Sequence, residues 1–147
     1  MSDAQNTPRI IEGGLLVDAR GTVTFVNDFD FKGVERFYTI RAHRPYEPRG
    51  WRGHRIQEKW FTVVRGTILL AVVKPDDWSF PASHLPVERF VLSETKPQVL
   101  HVPVNHATGS MALSEDAILM VFSSGRLGDT ATDDYLFPVN TWSVNCE

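Results

Sequence analysis

An all-β fold is predicted, a sandwich or barrel of roughly ten short strands, and three observations predict it. No long window shows helical periodicity with caps. Apolar, β-branched runs alternate with Gly, Pro, Asn and Asp clusters along the chain. Finally, 147 residues with 42% apolar, 11% aromatic and 22% charged side chains can build a core and do not read as disordered.

Residues 1–9 read as a flexible polar tail and 10–147 as one domain, without internal repeats. Ile10-Ile11, Leu15–Val17 and Thr22–Val26 are short β-type pieces, punctuated by Gly13-Gly14 and the turn Asp18–Gly21. Val34–Ile40 is the next strand, with Arg36, Tyr38 and Ile40 on one face by the two-residue period. Pro45 and Pro48 mark a loop. If 51–56 is extended, Arg52, His54 and Ile56 share a face. Trp60–Val64 and Thr67–Val73 read as a hairpin joined across Arg65-Gly66. A polar excursion over 75–86 precedes strands at Glu88–Leu92, Gln98–Val102, Gly109–Leu113 and Ala117–Phe122. The stretch Asp133–Trp142 is irregular but aromatic enough to dock.

The net charge is −3, with no basic tail, which disfavours nucleic acid as a partner. The N-terminus lacks an apolar signal core, and the longest apolar run, Ile68–Val73, is too short to span a bilayer. The single cysteine, Cys146, has no disulfide partner. A cytoplasmic protein without membrane contact is expected.

Charge is unevenly placed. Between Arg41 and Arg65 stand seven Lys/Arg and two acids, Glu47 and Glu58, so this segment is +5 inside an acidic chain. Such an island is expected to bind an anion. Arg49 offers a planar fork for phosphate oxygens and Lys59 a mobile point charge; solvated strand charges are the plainer alternative. Arg36 and Tyr38 would line the same cavity, unless Tyr38 is core. Trp51 and Trp78 are candidates for stacking on a base or for ordinary packing. His54 is the one histidine set among cations. Its guanidinium neighbours are expected to depress its pKa and keep it neutral, as a base requires; otherwise it merely bonds a strand neighbour.

Arg49-Gly-Trp-Arg-Gly-His54 resembles the R-G-x-H-x-H segment of dTDP-4-keto-6-deoxyglucose 3,4-ketoisomerases. It also resembles the R-G-L-H-Y-Q segment of dTDP-4-dehydrorhamnose 3,5-epimerases. Lys59–Gly66 is similar to the epimerases' K-L-V-R-C-V-V-G strand, and His101–Ala117 to their I-P-x-G-x-A-H-G-F-x-x-L-S run. Arg36-Phe-Tyr38 precedes Arg49 much as an R-x-Y pair does in the ketoisomerases. The likeness covers residues 10 to 125 and implies a cupin-type double-stranded β-helix (jelly roll).

This chain departs from the pattern at three places. Arg52 replaces the first histidine, Thr108 the A-H-G histidine, and Val121 the tyrosine acid of the opposite face. The resemblance implies an isomerase acting on a dTDP-linked 4-keto-6-deoxyhexose, in deoxysugar and surface-polysaccharide synthesis. His54 and Arg52 would be catalytic, with Arg49, Lys59, Arg36 and Tyr38 binding the nucleotide-diphosphate sugar. With Val121 in place of the acid, 3,4-ketoisomerisation is favoured over 3,5-epimerisation. The alternative is a catalytically inactive cupin that binds a nucleotide sugar. No cofactor is expected, and no metal, because Ile56 stands where a second ligand would. The family likeness also implies a homodimer in which a strand of one subunit completes the sheet of the other.

Overall fold

Alternating side chains between Gly and Pro breaks fold the chain into short strands, in a computed structural model that describes residues 6–126, 128 and 131–145. They are β1 (Arg9–Glu12), β2 (Gly14–Asp18), β3 (Gly21–Phe25), β4 (Arg36–Ala42), β5 (Arg49–His54) and β6 (Lys59–Arg65). There follow β7 (Thr67–Val73), β8 (Glu88–Ser93), β9 (Gln98–Val102), β10 (His106–Ala112), β11 (Ala117–Ser123) and β12 (Tyr135–Leu136). One antiparallel sheet runs β1-β9-β6-β11-β4, the second β12-β5-β10-β7-β8, and β2–β3 form a separate ribbon. From β4 onward most connections switch sheets, the mark of a jelly roll. The all-β expectation is met. No helix among the described residues is long and apolar enough to cross a membrane.

The hairpin expected across Arg65-Gly66 does not form. β6 lies in the first sheet and β7 in the second, so the chain crosses between layers at Gly66. Gly66 adopts φ 78°, a conformation costly for any residue with a Cβ, and an added Cβ would collide with the Ser114 hydroxyl. The reason lies in burial. β7 is covered on both faces, so Ile68, Leu70 and Val72 fill the space between the sheets while Leu69, Ala71 and Val73 pack outside. A run apolar on both faces carries no alternation from which its partner can be read.

Three apolar clusters hold the layers. Between the sheets, Phe61, Val63, Leu70, Leu100, Leu119 and Val121 are among the residues that pack together. Outside the second sheet, Trp142, Val144 and Phe137 dock on Trp51, Ala71 and Met111, so the C-terminal segment does pack as its aromatic content suggested. The outer face of the first sheet carries Ile11, Trp60 and Val99 under Phe29 and Val34.

Some boundaries move. β1 begins at Arg9, paired with His101, and Pro8 is buried, so the expected tail is shorter than nine residues. Its first five residues and Cys146 lie outside the described residues. β5 stops at His54, leaving Ile56 73% exposed rather than in line with Arg52 and His54. β10 begins at His106, not Gly109, because it pairs with β5 as far as His54.

Candidate functional site

Register assembles the site. In β4, Arg36, Tyr38 and Ile40 point inward together, as the two-residue period requires. Arg36, Ser123 and Lys59 form one row across β4, β11 and β6, and Tyr38, Val121 and Phe61 form the next. From the facing sheet, β5 supplies Arg49, Arg52 and His54. The walls enclose a cavity of about 590 Å³, also lined by Leu70, Leu119, Asp134 and Leu136. That volume suits a small-molecule ligand.

All six residues singled out from the sequence, Arg36, Tyr38, Arg49, Arg52, His54 and Lys59, therefore line one cavity. The linear island and the spatial one differ, however. Arg55 leaves to stack over the Trp78 ring at 5.6 Å, Arg41 pairs with Asp116, and Arg44 pairs with Glu47. Arg36, outside the island in sequence, replaces them.

His54 is buried, and its Nδ1–H donates to the Asp133 carbonyl at 2.7 Å. A carbonyl can only accept, so Nδ1 carries the proton and Nε2 keeps its lone pair. The Gln57 amide nitrogen, 3.5 Å from Nδ1, is itself a donor and adds no bond. The imidazole pKa is depressed, chiefly by burial, with the Lys59 ammonium adding to the effect against the pull of the Asp133 carbonyl. Burial and not guanidinium repulsion is therefore what favours the neutral imidazole, and the one cation that contributes is the Lys59 ammonium.

Asp133 holds the turn that carries the chain from β5 to β6. Its carboxylate accepts the backbone N–H of Arg55 (2.8 Å), Ile56 (3.0 Å) and Gln57 (2.9 Å), and the Gln57 side-chain amide at 3.2 Å. Gln57 in turn accepts the Ser123 hydroxyl at 3.1 Å. Gly53 is needed nearby, since a Cβ there would drive into the Trp78 ring, 2.5 Å away. Asp134 pairs with Arg52 at 3.1 Å in the cavity wall. Neither aspartate was found from the sequence; two acids in an irregular segment look like any solvated pair.

Lys59 is 4% exposed, with its Nζ 3.5 Å from the Tyr38 hydroxyl and 5.3 Å from that ring's centroid. Burial, reinforced by Arg36, lowers its pKa to about 8. The Arg36 guanidinium stacks over the same ring at 4.9 Å, and its buried Nε–H has no acceptor among the described residues. Burial raises the Tyr38 phenol above its ordinary range, although Arg36 and Arg52 pull the other way. Thr108 lines the wall beside Arg52, its register partner. Val121 is fully buried.

Trp51 is 1% exposed, and its Nε1–H donates to the Trp142 carbonyl at 3.0 Å; Trp78 packs on Tyr135 and Phe137. Both are packing residues rather than free stacking platforms. His106 is buried with Nδ1 on the Val104 carbonyl at 3.0 Å. Among the described residues no three His, Cys, Asp or Glu side chains gather as metal ligands would.

Fold and site together define a class: a double-sheet jelly roll with a cationic, imidazole-bearing cavity between its layers. No family model matches the chain, and no curated protein matches it. Solved structures do. The chain is similar to the RmlC epimerase of Mycobacterium tuberculosis, at 17% identity and TM-score 0.71, over 93% of this chain and 71% of that one. It is similar to the dTDP-4-dehydrorhamnose 3,5-epimerase of Bacillus anthracis with TDP and pyrophosphate bound, at 20% identity and TM-score 0.70, over 86% and 76%. It is also similar to the QdtA 3,4-ketoisomerase of Thermoanaerobacterium thermosaccharolyticum in complex with TDP, at 17% identity and TM-score 0.66, over 87% and 86%. The families that the motifs resemble are thus represented among the structures whose fold the chain shares.

Proposed function

We propose that the protein is an isomerase acting on a dTDP-linked 4-keto-6-deoxyhexose, removing a proton from the carbon beside the ketone. The observation that carries this reading is the convergence, in one cavity, of a neutral imidazole with a free Nε2 and four cationic side chains. A ketone acidifies the neighbouring C–H, and a base needs only a lone pair within reach of it. His54 supplies that lone pair. Arg49 and Arg52, the more exposed cations, hold the diphosphate; Arg52 can also steady an enediolate.

Lys59 belongs nearer the sugar than the phosphates. It is deeply buried and close enough to His54 to influence it, so its ammonium is set to stabilise the enolate oxygen. The acceptor-less Arg36 Nε–H supports a ligand oxygen nearby. With one imidazole moving a proton along one face, 3,4-ketoisomerisation is the favoured outcome. The partner is a second copy of the chain. What supports this is the β2–β3 ribbon, which exposes Leu16 (66%), Val17 (68%) and Val23 (62%) although two-stranded ribbons are marginal alone.

The test is an NMR time course with dTDP-4-keto-6-deoxyglucose. His54→Asn is expected to lower turnover by about a hundredfold or more while dTDP still binds. Unchanged turnover in His54→Asn refutes the assigned base, and absence of any thermal shift with millimolar dTDP refutes the ligand class.

A further inference from the structure

We infer that Lys59 is a site of reversible modification by carbon dioxide: its amine takes up CO2 as a carbamate, which turns a cation at the buried end of the cavity into an anion. The modification goes beyond the isomerase reading and needs no sugar ligand.

A cluster of cations without a counter-ion carries the inference. Lys59 is 4% exposed, and Arg36 stands in the same row across β4, β11 and β6. Both lie over the Tyr38 ring, Arg36 at 4.9 Å and Lys59 at 5.3 Å from its centroid. The two acids whose charge reaches Lys59 are engaged elsewhere, Asp134 on Arg52 and Asp133 on the backbone that follows β5. The buried Arg36 Nε–H has no acceptor among the described residues. Adjacent buried cations favour any change that supplies an anion between them.

Lys59 can itself become that anion. Burial, and then Arg36, hold its pKa at about 8, so that near this pH about half the molecules carry the free amine. A lysine desolvated beside another cation is an activated nucleophile. Carbon dioxide suits such a place, because it enters uncharged and gains its charge only once bonded. The cavity of about 590 Å³ has room for three added atoms, and a guanidinium fork matches the two oxygens.

The step balances. The Nζ lone pair attacks the carbon of CO2 and forms the N–C bond, while one C=O pair moves to oxygen. The nitrogen then gives a proton to solvent, which leaves an N–H and a carboxylate-like pair of oxygens. No electrons are gained or lost, and removal of CO2 reverses the step. A diphosphate entering the cavity would meet an anion in place of a cation; this consequence rests on the nucleotide-sugar reading, whereas the carbamate does not.

The experiment equilibrates nitrogen-labelled protein with carbon-labelled bicarbonate, the source of CO2, near pH 8 and compares it by NMR with chloride of equal ionic strength. Wild type is expected to show a carbamate carbon coupled to one lysine nitrogen. That signal should be absent from Lys59→Met and at least several-fold weaker in Arg36→Gln. Wild-type affinity for dTDP should fall several-fold in bicarbonate, and that of Lys59→Met should not change with the medium. A lysine carbamate that persists in Lys59→Met, or is undiminished in Arg36→Gln, overturns the inference. So does a bicarbonate-dependent rise in melting temperature without an N–C bond, since the ion would then be bound whole. Failure of dTDP to bind in either medium refutes the proposed function, while the labelled signal still decides the modification.

Discussion

Replacing Lys59 with Met is expected to stabilise the empty protein while weakening its grip on ligand. The amine is 4% exposed and has no ion-pair partner among the described residues, only a phenol at 3.5 Å. Its pKa falls from the ordinary 10.5 to about 8, first through burial and then through Arg36. At about 1.4 kcal/mol per pKa unit, holding the ammonium there costs about 3 kcal/mol at neutral pH. Methionine matches the length of the side chain and carries no charge, so the expected gain, less the weak contact to Tyr38, is about 2 kcal/mol.

The pH dependence is more telling than the magnitude. Between pH 8 and 10.5 the unfolded chain keeps a proton that the folded protein has released, so wild-type stability rises with pH across that window. Met has no such slope. The advantage of the variant should therefore be full below about pH 8 and fade as pH approaches 10.5. Urea unfolding at both ends of the window, with unchanged m-values, measures it. A variant less stable than wild type at neutral pH, or an advantage equal at both ends, would show that Lys59 is not an unpaired buried charge.

Turnover should follow a bell against pH: the acid limb lies below the ordinary histidine value of 6.5, where His54 loses its proton, and the alkaline limb lies near 8, where Lys59 loses its charge. An acid limb at or above 6.5 would remove His54 as the group responsible. Asp133→Ala strips the acceptor from the N–H groups of three successive residues and should cost about 3 kcal/mol or more in chemical unfolding. Asp134→Asn frees Arg52 and removes a negative charge from the cavity. Calorimetry should find dTDP bound several-fold more tightly, a gain of about 1 kcal/mol, with stability nearly unchanged because the ion pair is partly exposed.

Much of the site was legible because the two-residue period is a local property. Arg36 and Tyr38 share a face whatever they pair with, and so do Arg52 and His54. The Gly and Pro breaks likewise set out most strands to within a few residues. Which strand lies beside which is a different matter. β6 and β7 are adjacent in sequence and equally apolar, yet Gly66 sends them into opposite layers so that β7 can be buried on both sides.

By itself, then, the amino-acid order determined an all-β chain in which Arg36 shares a strand face with Tyr38 and Arg52 one with His54. Tertiary structure alone decided that Arg41, Arg44 and Arg55 turn away to Asp116, Glu47 and Trp78. It alone brought Asp133 to the His54 imidazole from 79 positions further along the chain. The reason is that side-chain alternation is written into each strand, whereas neighbours across a sheet are chosen by long-range burial, which no short stretch of sequence encodes.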